Sequence, residues 1–276
     1  MIHFLIDSTF GITDEWAKAN EVEIVDLKLI LDGITTNEGR LPEYEEFYTR
    51  LKNSTSMPTT SQPSPQDFFD KIDGIYQKDK DAEIIIITIA SALSGTFNGA
   101  HLVLEHYKNK KIAIIDSQTA SVGCRILLEE LVELRDRGEN FEYIVEKSNE
   151  IIAKIELQFI PETLEYLKRG GRVGNLAATI ANLLKIKPIF NFSRNKSTIP
   201  KKAIGLNKAI SDMISAIPKK LNKLYICYIH DKINVPKLMS KIKDKLGLDN
   251  VEAVPVSPVF GSHVGIGAFG VAALSY

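Results

Sequence analysis

The chain has 276 residues, 44% hydrophobic and 25% charged, with 34 basic against 35 acidic side chains and a formal net charge of -1. That is the balance of a globular protein long enough for two domains, each with its own core. No chain-wide basic field exists to draw in nucleic acid, and any membrane contact is expected to be transient.

The cysteines, Cys124 and Cys227, lie far apart in apolar stretches. Without a CxxC pair or a Cys/His cluster, neither a disulfide framework nor a metal site is expected. The apolar run over residues 2–6 is too short for a signal peptide, and the run over 84–90 is a fraction of a membrane span. A cytoplasmic location is the expectation.

In chain order, residues 2–6 read as a strand ending in Asp7-Ser8-Thr9, and residues 22–27 as a second strand. Residues 43–53 have helical periodicity. Residues 57–65 read as a Ser/Thr/Pro-rich loop, after which Ser64-Pro65-Gln66-Asp67 opens a helix with cap, N1 proline and acidic first turn in order. Glu83-Ile84-Ile85-Ile86-Ile87-Thr88-Ile89 is the plainest strand. Its unalternated β-branched run predicts burial on both faces, hence a parallel sheet covered by helices. A helix over 96–107, a strand over 112–115 and helices over 120–137 and 141–155 follow, which is α/β order.

Beyond residue 161 the spacing predicts a short helix over 163–168, an apolar helix over 173–184, and a strand pair, 187–192 with 197–202, turning at Asn195. Helices over 206–217 and 235–246 alternate with strands over 224–230 and 251–255. The expected division is a first α/β domain over 1–160 and a second over 161–276, with the boundary good to ten residues either way.

Hydroxyls and glycines cluster where the strands end. Ser94-Gly95-Thr96 follows a strand and opens a helix, the place where a parallel sheet offers free N–H groups to a carboxylate or phosphate. Position alone fits Ser94 equally well as a simple helix cap. Thr60-Ser61-Gln62-Pro63 is dense in donors while Ser64 already fills the capping role. Arg169-Gly170-Gly171-Arg172 reads as a glycine-capped helix end. His263, among three glycines and Ser262, reads as loop chemistry with a functional role. Gly265-Ile266-Gly267-Ala268-Phe269-Gly270 matches the dinucleotide fingerprint, but the chain ends at Tyr276, leaving no room for the unit that the motif needs. Walker, nucleophile-elbow and HExxH motifs are absent.

Taken together, Asp7-Ser8-Thr9, Thr60-Ser61-Gln62-Pro63, Leu93-Ser94-Gly95-Thr96, Asp116-Ser117, Lys168-Arg169-Gly170-Gly171-Arg172, Lys187-Pro188-Ile189 and Ser262-His263-Val264-Gly265 form an ordered set across nearly the whole chain. This set resembles the DegV family of bacterial fatty-acid-binding proteins. The resemblance implies a parallel α/β/α first domain, similar to that of dihydroxyacetone kinases, and a second α/β domain around a mixed sheet. It implies one long-chain fatty acid, such as palmitate, between them, and no other cofactor. The carboxylate falls to Thr60 and Ser94, with Ser61 and His263 beside it and Gly95, Thr96, Arg169 and Gly170 in support. Some members of the family present the lipid to a separate fatty acid kinase and are not themselves catalytic.

There are three departures from the family pattern: Ile204 where kinase-coupled members carry arginine, Ile266 in place of proline, and Phe10-Gly11-Ile12 in place of small and acidic residues. The competing expectation is a stand-alone lipid hydrolase or phosphotransferase using Ser94 with His263.

Overall fold

The computed structural model describes residues 1–40, 43–172, 176 and 186–276. Three sheets organise them. The first is parallel, in the order β2 (Val22–Val25), β1 (Ile2–Asp7), β6 (Glu83–Thr88), β7 (Ile112–Asp116). Ile84 and Ile86 of β6 point into one apolar cluster and Ile85 and Ile87 into another. The unbroken isoleucine run is therefore what a strand covered on both faces requires. One cover includes α3 (Pro65–Lys78) and α4 (Thr96–Val103), and the other is built largely on α5 (Val122–Asp136). Ser64 caps α3 in a reciprocal capping box with Asp67, as its spacing predicts.

The second sheet is mixed and six-stranded. Its order is β10 (Lys196–Ala203), β9 (Lys187–Ser193), β8 (Ile155–Ile160), β13 (Phe269–Ser275), β11 (Leu221–Tyr228), β12 (Ala253–Pro255). Since β8 pairs with β9 and β13, the chain enters this sheet ahead of Ile155. On its outer face lie α8 (Leu206–Ala216) and α9 (Val235–Leu246). Helix α5 touches β8, β13 and β11, so one continuous core joins the two sheets.

Two expectations change, and the final strand was not anticipated. Residues 57–65 contain a strand, β5 (Thr59–Ser61), which pairs with β3 (Lys28–Leu31) beside β4 (Ile34–Asn37) in a small antiparallel sheet. Short, polar and partner-dependent, β5 has too little period-two pattern to be read locally. The glycine-rich stretch holding His263 is not a loop there: α10 (Pro258–Val264) carries the histidine in its last turn. The final residues form the central strand β13, where Gly270 sits so close to the Gln158 carbonyl of β8 that a Cβ would collide with it. The helix expected over 173–184 lies, apart from residue 176, outside the described residues.

Candidate functional site

Between the first sheet and the inner face of the second lies a cavity of about 520 Å3. Its walls are largely apolar, with Phe159, Phe190, Phe192 and Phe260 on one side and Leu27 and Ile89 on the other. Phe159 and Phe190 face each other across β8 and β9 and stack at 5.1 Å, and Phe260 meets Phe159 edge-on. Thr60, Ser61, Gln62, Ser94, His263 and Arg172 supply polar lining at one end, and Ser91, Asn191 and Ser197 also reach the cavity.

Thr60 faces the cavity because β5 alternates: its side chain is half-buried while Thr59 and Ser61 are exposed. Its Oγ1 stands 2.8 Å from His263 Nε2. The Ser94 and Thr96 hydroxyls are also 2.8 Å apart, and the Thr96 N–H donates to Ser94 Oγ. Gly95, not Ser94, occupies the cap position of α4, although the Ser94 oxygen accepts the first N–H of that helix and keeps its own proton to give. Gly95 leaves room for the Gln62 side chain, which a Cβ there would strike. This contact brings the Ser94 turn against the Thr60 segment.

Helix α7 (Glu165–Gly170) ends on Gly171 in the left-handed conformation, as the glycine pair predicts. Gly170 packs on His263: a Cβ would come within 2.8 Å of Nδ1. Burial and the nearby Arg172 charge press the His263 pKa down to about 4, so the imidazole is neutral at neutral pH. Its Nδ1 is buried and finds no hydrogen-bond partner among the described residues.

The DegV family model, described as an uncharacterised protein family, matches residues 1–275. The chain belongs to the DegV family. A DegV domain-containing protein of Clostridium perfringens is 30% identical to it, over 98% of both chains. Among solved structures, a fatty acid binding DegV family protein from Streptococcus agalactiae superposes with a TM-score of 0.90 at 25% identity, covering all of this chain and 99% of its own. A Thermus thermophilus DegV protein, solved in a study of its fatty acid binding, gives 0.89 at 25% identity with the same coverage.

In this DegV family member the structure gathers Thr60, Ser61, Ser94, Gly95 and His263 around the cavity, with Thr96 and Gly170 directly behind. Ser61 sits at the rim and donates to its neighbour's carbonyl, Gln62 O, at 3.2 Å. Arg169 stands apart from the others. It is exposed and pairs with Glu165 one helical turn back; the arginine lining the cavity is Arg172, which donates to Gly170 O. The motif reads as a helix end with both arginines as end charges, and the resemblance put Arg169 in support of the site; the structure puts Arg172 there instead, and no local spacing separates the two. Phe190 and Phe192, two apart on β9, did carry a period-two signal. The match to Phe159 and Phe260 exists only after folding.

Asp7 and Asp116 end β1 and β7, the two strands that flank β6 in the first sheet, and organise its loops. Asp7 is fully buried and accepts from Ile89 N–H at 2.6 Å, and burial pushes its pKa up to about 6. Asp116 accepts from Ser91 and from Asn195, so the β9–β10 turn is fastened onto the first sheet.

Proposed function

We propose that this protein binds one long-chain fatty acid between its two sheets and carries it without chemistry of its own. The tail lies among the phenylalanines, and the carboxylate is held by Thr60 and Ser94. The observation that carries this reading is a mostly apolar cavity in whose lining the Thr60 and Ser94 hydroxyls are each hydrogen-bonded to a group behind them.

The donors matter because a hydroxyl has one proton to give. With the neutral imidazole protonated at Nε2, His263 donates to Thr60 Oγ1 and leaves the Thr60 proton for a ligand oxygen. With Thr96 donating to Ser94 Oγ, the Ser94 proton is free in the same way. Each donor polarises the next, which strengthens the outer hydrogen bond. The other tautomer would spend the Thr60 proton on His263, so an anionic head group selects the Nε2–H form.

Tail burial supplies the affinity. At about 0.8 kcal/mol per methylene, a dozen methylenes give roughly 10 kcal/mol before the cost of association. The hydroxyls then only have to orient the head group. The volume also suits a single small molecule.

Lipid extracted from purified protein and analysed by mass spectrometry is expected to contain one fatty acid per chain. The combined Thr60→Ala, Ser94→Ala variant is expected to bind palmitate or oleate at least about tenfold more weakly, a loss of ~1.4 kcal/mol. Protein that is empty as purified and takes up neither acid would overturn the reading.

A stand-alone hydrolase is the second reading. Against it, His263 reaches Thr60 and Ser94 reaches Thr96, so among the described residues no base is bonded to the serine. Presentation to a separate fatty acid kinase fits the family. Such a partner would meet an 83% exposed Ile204 between β10 and α8, where kinase-coupled members have arginine. We also read the two larger sheets as separate domains meeting at the cavity, with the boundary just ahead of β8.

A further inference from the structure

Glu38 is one of the few carboxylates sealed inside the molecule, 3% exposed, and it forms no ion pair among the described residues. It follows β4 in the first half of the chain, yet its Oε1 accepts the backbone N–H of Val259 at 2.6 Å, at the start of α10. Its Oε2 accepts the Ser8 hydroxyl, and Ser8 Oγ in turn accepts Leu27 N–H at 3.0 Å. Helix α10 needs such help. The side chain of its cap residue, Ser257, makes no capping bond, and Pro258 occupies N1, so Val259 offers a helix N–H that Glu38 satisfies. Beside it the Tyr48 hydroxyl donates to the carbonyls of Val256 and Ser257. Five positions after Pro258 the same helix carries His263 to Thr60.

We infer that Glu38 is a positioning residue for the head-group site, holding α10 from the first half of the chain so that His263 stands behind Thr60, and that ligand affinity follows the ionisation of this carboxyl. The inference rests on the reading of Thr60 and His263 as head-group residues. Both Glu38 oxygens accept hydrogen bonds, which suits the carboxylate. A proton on Oε2 would take away the acceptor of the Ser8 hydroxyl, and a neutral carboxyl holds the Val259 N–H less strongly than a carboxylate does, which slackens the hold on α10. Besides Ser8, the polar side chains facing it among the described residues are Asp7 at the end of β1, Tyr44 and Tyr48 of α2 (Glu43–Asn53) and the Ser257 hydroxyl. Burial, reinforced by the Asp7 charge and opposed by the bonds from Ser8 and Val259, pushes the Glu38 pKa up to about 7. The carboxyl therefore titrates in the neutral range.

The test compares wild type with Glu38→Gln and Glu38→Ala in the full chain. Palmitate affinity of the wild type is expected to fall several-fold from about pH 8 to pH 6, a range in which a free carboxylic acid stays ionised. Glu38→Gln, neutral like the protonated carboxyl, is expected to bind at every pH about as weakly as wild type does at pH 6, with a flat profile; Glu38→Ala, which leaves the Val259 N–H without its acceptor, is expected to lose about tenfold at pH 8. A second readout needs no fatty acid. The NMR shifts of the His263 ring should show an inflection near neutrality in wild type, absent in Glu38→Gln and retained in Asp7→Asn. An unchanged pH profile and inflection in Glu38→Gln would overturn the inference. So would tighter binding by that variant, which would mean that the charge merely repels the ligand. If wild type binds no fatty acid, the proposed function fails, while the His263 inflection still decides the role of Glu38.

Discussion

At Gly170 a Cβ would stand 2.8 Å from His263 Nδ1, so the absence of a side chain at the end of α7 is what lets the imidazole seat against Thr60. Gly170 does not adopt a positive φ. Alanine would therefore suit the helix better than glycine by up to about 1 kcal/mol if nothing stood in the way. Gly170→Ala is thus expected to leave the melting temperature within a few degrees while weakening fatty acid binding about tenfold, ~1.4 kcal/mol. Calorimetric titration beside a thermal melt separates the two effects. Equal affinity in the variant would show that His263 need not stand where it does. The motif residues Thr60, Ser94 and His263 were legible as chemistry, because hydroxyls and a histidine at element ends have few local duties. Glu38 was not legible, since its partner Val259 lies 221 residues away.

Among the elements, the β9–β10 hairpin joins the two halves of the molecule. Its two-residue turn, Arg194-Asn195, has positive φ at both positions, the geometry that matches strand twist. Asn195 uses that position to donate to Asp116 Oδ2 at 2.8 Å, while its Oδ1 accepts Ala92 N–H at 3.3 Å. Asn195→Gly keeps the turn conformation and removes the fastening. The expected result is a loss of about 1–2 kcal/mol in urea unfolding together with faster release of bound fatty acid, followed by stopped-flow transfer to albumin. Release at the wild-type rate would mean that the hairpin takes no part in closing the cavity. The hairpin itself followed from its sequence pattern, whereas its docking onto Asp116 depended on how the sheets meet.

For the molecule as a whole, two buried carboxyls and one buried imidazole set opposing pH slopes. Glu38 rises from 4.5 to about 7 and Asp7 from 3.8 to about 6, both through burial. An acid whose folded pKa is raised stabilises fully below its unfolded pKa, and that contribution is lost as pH rises through the folded value. His263, depressed to about 4, acts the other way: its contribution is present above about 6.5 and lost as pH falls through 4. The stability of Glu38→Gln relative to wild type should therefore climb from pH 4.5 to pH 8, by about 3 kcal/mol at most, since one pKa unit is ~1.4 kcal/mol. Urea unfolding at several pH values measures it, and parallel curves for the two proteins would refute it. Ionised Glu38 costs the fold some stability while it holds α10 in place, an exchange common where a site is assembled.

By itself the sequence determined the α/β class, the parallel character of the first sheet and the capped start of α3. Each follows from short-range physics: β-branched burial on two faces, or side chains bonding their own backbone. It also determined which residue types were available to meet an anion. The tertiary structure decided the rest. Strand β5 exists only because β3 lies beside it, and His263 sits on a helix whose first turn is satisfied from across the molecule. Arg172 turned to the cavity and Arg169 to Glu165, although the two share one motif. Long-range pairing, burial and the meeting of two sheets made those choices, and no window of neighbouring residues contains them.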